Sequence, residues 1–270
     1  MRNSWMIYGT GSFVAKKMLD KALSRQMRPV LAGSLGQEVF DLACQTQVDC
    51  KIFHCRDEKR ICEQLKDIDI VFLCEHLNYK EHKNFIEACL KTKTHYIDMS
   101  NELFSYGQLN KACDRFLEAG IVAIPGVHPT VILADFVAVT LKHHLPDANT
   151  LYLACSKSFS SFKSLLHNLA SGTKVLSGGI LKRPSWTQTR LAPFHDQHSL
   201  TVLSQQAELL ASWHSTKIPN ILVFRKSSAR EVRFIKLFRF FRWVLYFPFL
   251  QKIVRRQKNF LLRHFSVKPF

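Results

Sequence analysis

WMIYGTGSFV, residues 5–14, joins a short apolar run to a glycine turn and then to a helical pattern. Residues 5–8 read as a buried strand, and Gly9-Thr10-Gly11 breaks it. Beyond Phe13 the apolar positions Val14, Met18, Leu19 and Leu23 carry helical spacing. A strand that breaks at glycines and opens a helix has one of two uses. It is a plain turn, or it is a cradle in which backbone N–H groups and a helix N-terminus meet a pyrophosphate. The motif alone does not choose. In a GxGxxG/A pattern the third small position would fall on Val14, a larger residue.

Working outward, 28–33 gives a second strand and 38–44 a helix. Residues 50–55 give a third strand, 60–65 a helix, and 68–74 a fourth strand whose continuous apolar character suits a parallel strand covered on both faces. A helix over 80–91, a strand over 95–99, a helix over 105–118 and a strand over 121–124 follow. This alternation implies a doubly wound parallel α/β sheet of Rossmann type. Ligands of such sheets collect past the carboxyl ends of the strands. The residues there are 9–13, Ser34, 75–79, 100–102 and 127–129. An acid at the end of the second strand would bind an NAD ribose, and an Arg would accommodate the NADP phosphate. Ser34 is neither, so the cofactor choice stays open.

From residue 130 the rhythm changes. Helices are expected over 131–141, 162–176 and 205–213, with strands over 150–156, 200–203 and 218–225. The expected division is a Rossmann domain over 1–129, a smaller α+β substrate domain over 130–229 and a basic amphipathic helical tail over 230–270.

Composition bounds the rest. Apolar residues make up 47% of 270, enough for a substantial core. No uncharged apolar run reaches about 18 residues, and no signal peptide is read at the start. The eight cysteines are scattered without a CxxC pair, which argues for reduced thiols in a cytoplasmic protein and against a metal site. The net charge of +17 is uneven: residues 230–270 hold eleven Lys or Arg against Glu231 alone, so they carry +10. On a helix over 231–247, Phe234, Leu237, Phe238, Phe241, Val244 and Leu245 fall on one side, and Arg233, Lys236, Arg239 and Arg242 on the other. Two readings stand: residues 231–265 lie on an anionic membrane surface as a peripheral anchor, or the apolar face packs on protein. No base-reading or stacking module accompanies the charge, which argues against nucleic acid. A homodimer stays among the candidate assemblies.

Several stretches together resemble the saccharopine dehydrogenase-like oxidoreductases, nearest to their trans-acting enoyl reductase branch. YGTGSF at 8–13 resembles the family's opening turn, and VLAGS at 30–34 its second strand. THYIDMSNE at 94–102 resembles its THYxDxxGE, the most specific match. AGIVAIPGVHPTVILAD at 119–135 and KIPNILVF at 217–224 resemble later segments. The resemblance runs from residue 5 to about 226. It implies an NAD(P)-binding Rossmann domain joined to an α+β substrate domain, acting on a lipid-like or amino-acid-derived substrate. Carried over, Gly9, Thr10 and Gly11 would be the turn donors, with Ser12 and Phe13 at the helix opening and Ser34 where the family often has an Arg. Glu75-His76 stands where a GPY-like segment is common. Relatives commonly run on past Phe270, so the substrate domain is expected to be incomplete. The alternative is then a catalytically degenerate Rossmann protein that works through its basic tail.

Hydride transfer needs an acid or base near the nicotinamide. His128, just past the sixth strand, is the first candidate, followed by Tyr79 and His76 past the fourth. Asp98 is expected to order its loop. Gly-x-Ser-x-Gly, HExxH and P-loop patterns are absent, so hydrolase and NTPase readings find no motif.

Overall fold

The computed structural model describes residues 4–156, 173–184, 188–194, 197–204 and 206–240. Six parallel strands lie in the order β3-β2-β1-β4-β5-β6. They are β1 (Trp5–Tyr8), β2 (Val30–Gly33), β3 (Cys50–Ile52), β4 (Ile70–Leu73), β5 (His95–Asp98) and β6 (Ala123–Ile124). Helices α1 (Phe13–Leu23), α2 (Gly36–Thr46), α3 (Glu58–Leu65), α4 (Tyr79–Thr92), α5 (Leu103–Lys111) and α6 (Cys113–Glu118) make the connections. The order reverses beside β1, so the carboxyl end of β1 is the switch point at which such sheets take ligands.

Both faces of β1 explain its burial. Met6 and Tyr8 pack with Phe53, Leu73, Phe85 and Tyr96 on one side. Ile7 packs with Ala15, Leu19, Leu31 and Val39 on the other. The small residue that lets α1 approach the sheet is Ala15, 2% exposed. Val14, the position flagged as too large, is only half-buried. The continuous helix expected over 105–118 is instead two, broken at Ala112, whose φ of −97° and ψ of 3° leave the helical region.

The chain divides into two compact units, one of residues 1–153, 176–180 and 205–221, the other of 154–175, 181–204 and 222–270. In the first unit α7 (Pro129–His144) packs on α8 (Ala207–Thr216) through Val131, Ala207 and Ala211. A second sheet runs β10-β11-β12-β8-β9, with β7 (Thr150–Cys155) paired to β12. Its strands are β8 (Val175–Ser177), β9 (Ile180–Lys182), β10 (Thr189–Phe194), β11 (Gln197–Leu203) and β12 (Asn220–Lys226). The helix expected over 162–176 therefore fails at its end, where Val175 and Leu176 are strand residues buried beside β12; its body lies outside the described residues. The strands β9 and β10 went unforeseen, because ILK and the charged, proline-containing TRLAPF lack a period-two apolar pattern.

In α9 (Ala229–Phe240), Val232 and Ile235 are buried and pack with Val202, Leu200 and Phe234. The expected face was centred too far along: Leu237 is 58% exposed, while Ile235, which was not placed on that face, is 4% exposed. The start of this helix thus follows the packing reading. Its continuation, Phe241, Arg242, Val244 and Leu245, lies outside the described residues. No described helix is long and apolar enough to cross a membrane.

Candidate functional site

At the switch point Gly9 has φ +95°, a conformation that L side chains rarely adopt. A Cβ there would lie 2.5 Å from Glu75 Cβ and 2.7 Å from the Glu75 backbone nitrogen. The chain leaving β4 therefore passes directly over the turn, and only glycine fits beneath it. The Gly9 N–H donates to the Ala32 carbonyl at 2.8 Å and so belongs to the sheet. The Ser12 N–H donates to the Gly9 carbonyl at 3.2 Å. Ser12 caps α1, its hydroxyl accepting from the Ala15 N–H at 3.0 Å. Phe13 and Val14, in the first helical turn, have N–H groups with no intrahelical carbonyl to reach. With Thr10 and Gly11 they are the backbone donors suited to an anion. The Thr10 side chain is buried, and the Phe13 ring is 75% exposed with Lys17 Nζ 5.8 Å from its centre.

Two carboxylates face this turn. Glu75 accepts a hydrogen bond from Ser34 Oγ at 3.2 Å, tying the end of β4 to the end of β2 across β1. Burial pushes the Glu75 carboxyl up, opposed by the Ser34 hydroxyl. Glu38, in the first turn of α2, would lie 3.4 Å through Oε2 from a Cβ on Gly11. Gly9 and Ser34 are thus brought together at Glu75, and Gly11 lies beside Glu38. His76, next in sequence, pairs through Nδ1 with Glu102 Oε1 at 3.4 Å, and that hydrogen bond pushes its pKa up.

The other candidates sit at helix starts. His128 is the N-cap of α7, its Nδ1 accepting from the Thr130 N–H at 3.3 Å and lying 2.8 Å from Thr130 Oγ1. Tyr79 is the first residue of α4, is 62% exposed, and its carbonyl accepts from Gln108 Nε2. The preceding Asn78 caps the helix in a capping box with Glu81. Burial pushes the Cys55 and Cys74 thiols up to about 12, which leaves neither a ready thiolate. All eight cysteines are free. Among the described residues no cluster of His, Cys, Asp and Glu could hold a metal ion.

A buried polar cluster went unseen in the sequence. Asp98, His82, Ser105 and Tyr96 are each at most 2% exposed. His82 Nε2 lies 2.7 Å from Ser105 Oγ, 3.1 Å from Tyr96 Oη and 3.3 Å from Asp98 Oδ2. His82 Nδ1 bonds Gln108 Oε1, and Ser105 donates to Asp98 Oδ2. The residue types are those of a Ser-His-Asp triad, but the geometry is not. A triad places serine and aspartate on opposite imidazole nitrogens; here both meet Nε2, in a site closed to solvent. Asp98 instead orders the chain after β5, as expected. Its Oδ1 accepts from the Ser100 N–H at 2.8 Å, and its carbonyl accepts from the Val127 N–H at 2.7 Å. One signal could have exposed His82: it stands in register with Phe85, Ile86 and Cys89 on the buried face of α4.

No protein-family model matches the sequence, and no curated protein matches it significantly. Among solved structures, apo saccharopine dehydrogenase (L-Glu forming) from Saccharomyces cerevisiae superposes with a TM-score of 0.58 at 15% identity, over 87% of this chain and 57% of that one. The chain therefore spans less than two thirds of that enzyme. A UDP-N-acetylglucosamine 3-dehydrogenase from Acidithiobacillus ferrooxidans gives a TM-score of 0.45 at 9% identity, over 84% of this chain and 70% of that one. A Synechocystis biliverdin reductase complexed with biliverdin and NADP+ gives 0.44 at 14%, over 83% and 72%. The likeness that the first of these structures establishes is one of fold: the chain has the α/β architecture of saccharopine dehydrogenase, a parallel Rossmann-type sheet joined to a second, antiparallel one.

Proposed function

We propose that the chain binds a nicotinamide dinucleotide, NAD or NADP, at the β1–α1 turn and is an oxidoreductase of the saccharopine dehydrogenase-like type. The observation that carries this reading is the Gly9-Thr10-Gly11 turn at the reversal of strand order, with Gly9 at φ +95° and the first-turn N–H groups of α1 beyond it. The residues present fit the cofactor's pyrophosphate through Thr10, Gly11, Phe13 and Val14. When bound, the dinucleotide supplies or accepts the hydride. The chain's own part is to hold the pyrophosphate and to orient the nicotinamide over the strand ends, where Tyr79 and His128 lie in sequence just past β4 and β6. A lipid-like or amino-acid-derived substrate, handled by a protein held peripherally on an anionic membrane through residues 231–265, completes the proposal. The eleven basic residues of 230–270 support that location.

Thermal melting of the purified chain with NADH or NADPH at millimolar concentration tests the cofactor. A rise in Tm is expected, and the absence of any shift with either removes the reading. A second reading is favoured by the acidic rim of Glu75 and Glu38: a Rossmann protein without catalysis, working through its basic tail. It requires that binding to anionic vesicles survive Gly11→Asp and vanish on deleting 231–270.

A further inference from the structure

Neither cofactor signature occupies the end of β2, since Ser34 stands where an acid would mark NAD and an arginine NADP. An acid reaches that place by another route. In the sheet β1 lies between β2 and β4. Glu75 leaves the end of β4, crosses above Gly9 and accepts the Ser34 hydroxyl at 3.2 Å. The crossing depends on Gly9, because any Cβ there would fall 2.5 Å from that of Glu75. Its carboxylate therefore stands at the end of β2, where the ribose of an adenosine lies in this fold.

Resting on the dinucleotide reading above, we propose that Glu75 is the ribose-binding acid of this site, delivered from β4 instead of β2, and that it makes the site selective for NAD(H) over NADP(H). Carboxylate oxygens accept hydrogen bonds from the two ribose hydroxyls and repel a 2′-phosphate. Glu38, beside Gly11, adds a second negative charge on the same rim. Among the described residues, no ion pair within 4.0 Å joins a Lys or Arg to Glu75 or Glu38. A phosphate dianion entering there meets two acids and no Lys or Arg ion-paired with them. The hydroxyl of Ser34 fixes the Glu75 rotamer, which makes Ser34 a positioning residue for the same contact.

Isothermal titration of the full chain with NADH and NADPH tests the assignment, in wild type, Glu75→Gln and the pair Glu75→Gln/Ser34→Arg. Wild type is expected to bind NADH at least about tenfold tighter than NADPH, or about 1.4 kcal/mol. Glu75→Gln keeps the shape and a hydrogen-bonding oxygen, so circular dichroism should match wild type while the preference falls to near unity. The double substitution should reverse it. Equal or tighter NADPH binding by wild type, or an unchanged ratio in Glu75→Gln, overturns the assignment and leaves the dinucleotide reading standing. Failure of all three proteins to bind either dinucleotide overturns both.

Discussion

Replacing Gly9 by alanine tests the packing at the switch point. Two costs add. An L residue at φ +95° is strained by about 1–3 kcal/mol. The new methyl would also sit 2.5 Å from Glu75 Cβ and 2.7 Å from its backbone nitrogen, about 1 Å inside ordinary contact. Since one obstacle is backbone, it cannot rotate away, and forcing a main-chain shift costs about 1–3 kcal/mol more. The sum is about 2–6 kcal/mol, a large share of the 5–15 kcal/mol that holds a domain folded. Gly11→Ala is the control. Its Cβ meets only Glu38 Oε2, at 3.4 Å, and that carboxylate is the free end of a flexible side chain. A loss within about 1 kcal/mol is expected there. Urea unfolding followed by tryptophan fluorescence reads both, because Trp5 in β1 packs edge-on against Phe72 at 5.6 Å. In the Gly9→Ala background, Glu75→Gly should recover part of the loss by removing the nearest carbon while the nitrogen remains. A Gly9→Ala protein within about 1 kcal/mol of wild type, or one no worse than Gly11→Ala, would refute the argument.

Three further outcomes follow from buried groups and ion pairs. Asp98→Ala strips acceptors from the Ser100 N–H and hydroxyl, Ser105 and His82 in a closed site, and should cost about 3–5 kcal/mol in urea unfolding; less than 1 would mean that the cluster is solvated. Ile235→Ala should cost about 2–4 kcal/mol and Leu237→Ala under about 0.5, because only the first is packed against Val202; equal costs would contradict that packing. Two carboxylates should impose opposite pH trends on stability. Burial holds Glu75 above its unfolded value, so the native state binds the extra proton; its contribution is full below the unfolded carboxylate range and is lost as pH rises through the raised value. The Arg115 hydrogen bonds hold Glu87 low, so its contribution is present above the unfolded range and lost as pH falls through the lowered value. Glu75→Gln and Glu87→Gln, each compared with wild type from pH 4 to 8, should therefore flatten opposite limbs of the stability profile.

The parallel sheet was legible because each of its elements carries its own signal. The apolar runs of β1 and β4 and the glycine turn needed no distant information. The antiparallel strands β9 and β10 were illegible because their stability comes from pairing: Thr189 to Phe194 register with Gln197 to Val202 and bury only Ala192 among their own residues. The site divides along the same line. Glycine at residue 9 announces a turn, but nothing local says that residue 75 crosses it. His82 and Ser105 are 23 residues apart and meet only because α4 and α5 both return to the end of β5. Val14 misled because the small-residue rule concerns helix–sheet approach, and in this turn the contact falls to Ala15.

The Asp98 cluster changes what the THYIDMSNE resemblance can be taken to mean. Thr94 bonds the Ile68 carbonyl at 3.1 Å, Tyr96 and Asp98 close on His82, and the Asn101 carbonyl accepts from the Ala207 N–H at 3.0 Å. Thr94, Tyr96, Asp98 and Asn101 of the motif are therefore spent on joining β4, β5, α4 and α8, and a chain could keep these residues for stability after losing its chemistry. The turn at Gly9 carries a different weight. A Cβ-free residue is needed there for its φ of +95° and again because Glu75 lies across it, and an acid whose carboxyl burial pushes up is a cost to the fold that the fold does not require. The presence of that acid, tied by Ser34 to the place where a ribose would sit, is the feature that stability alone leaves without a reason.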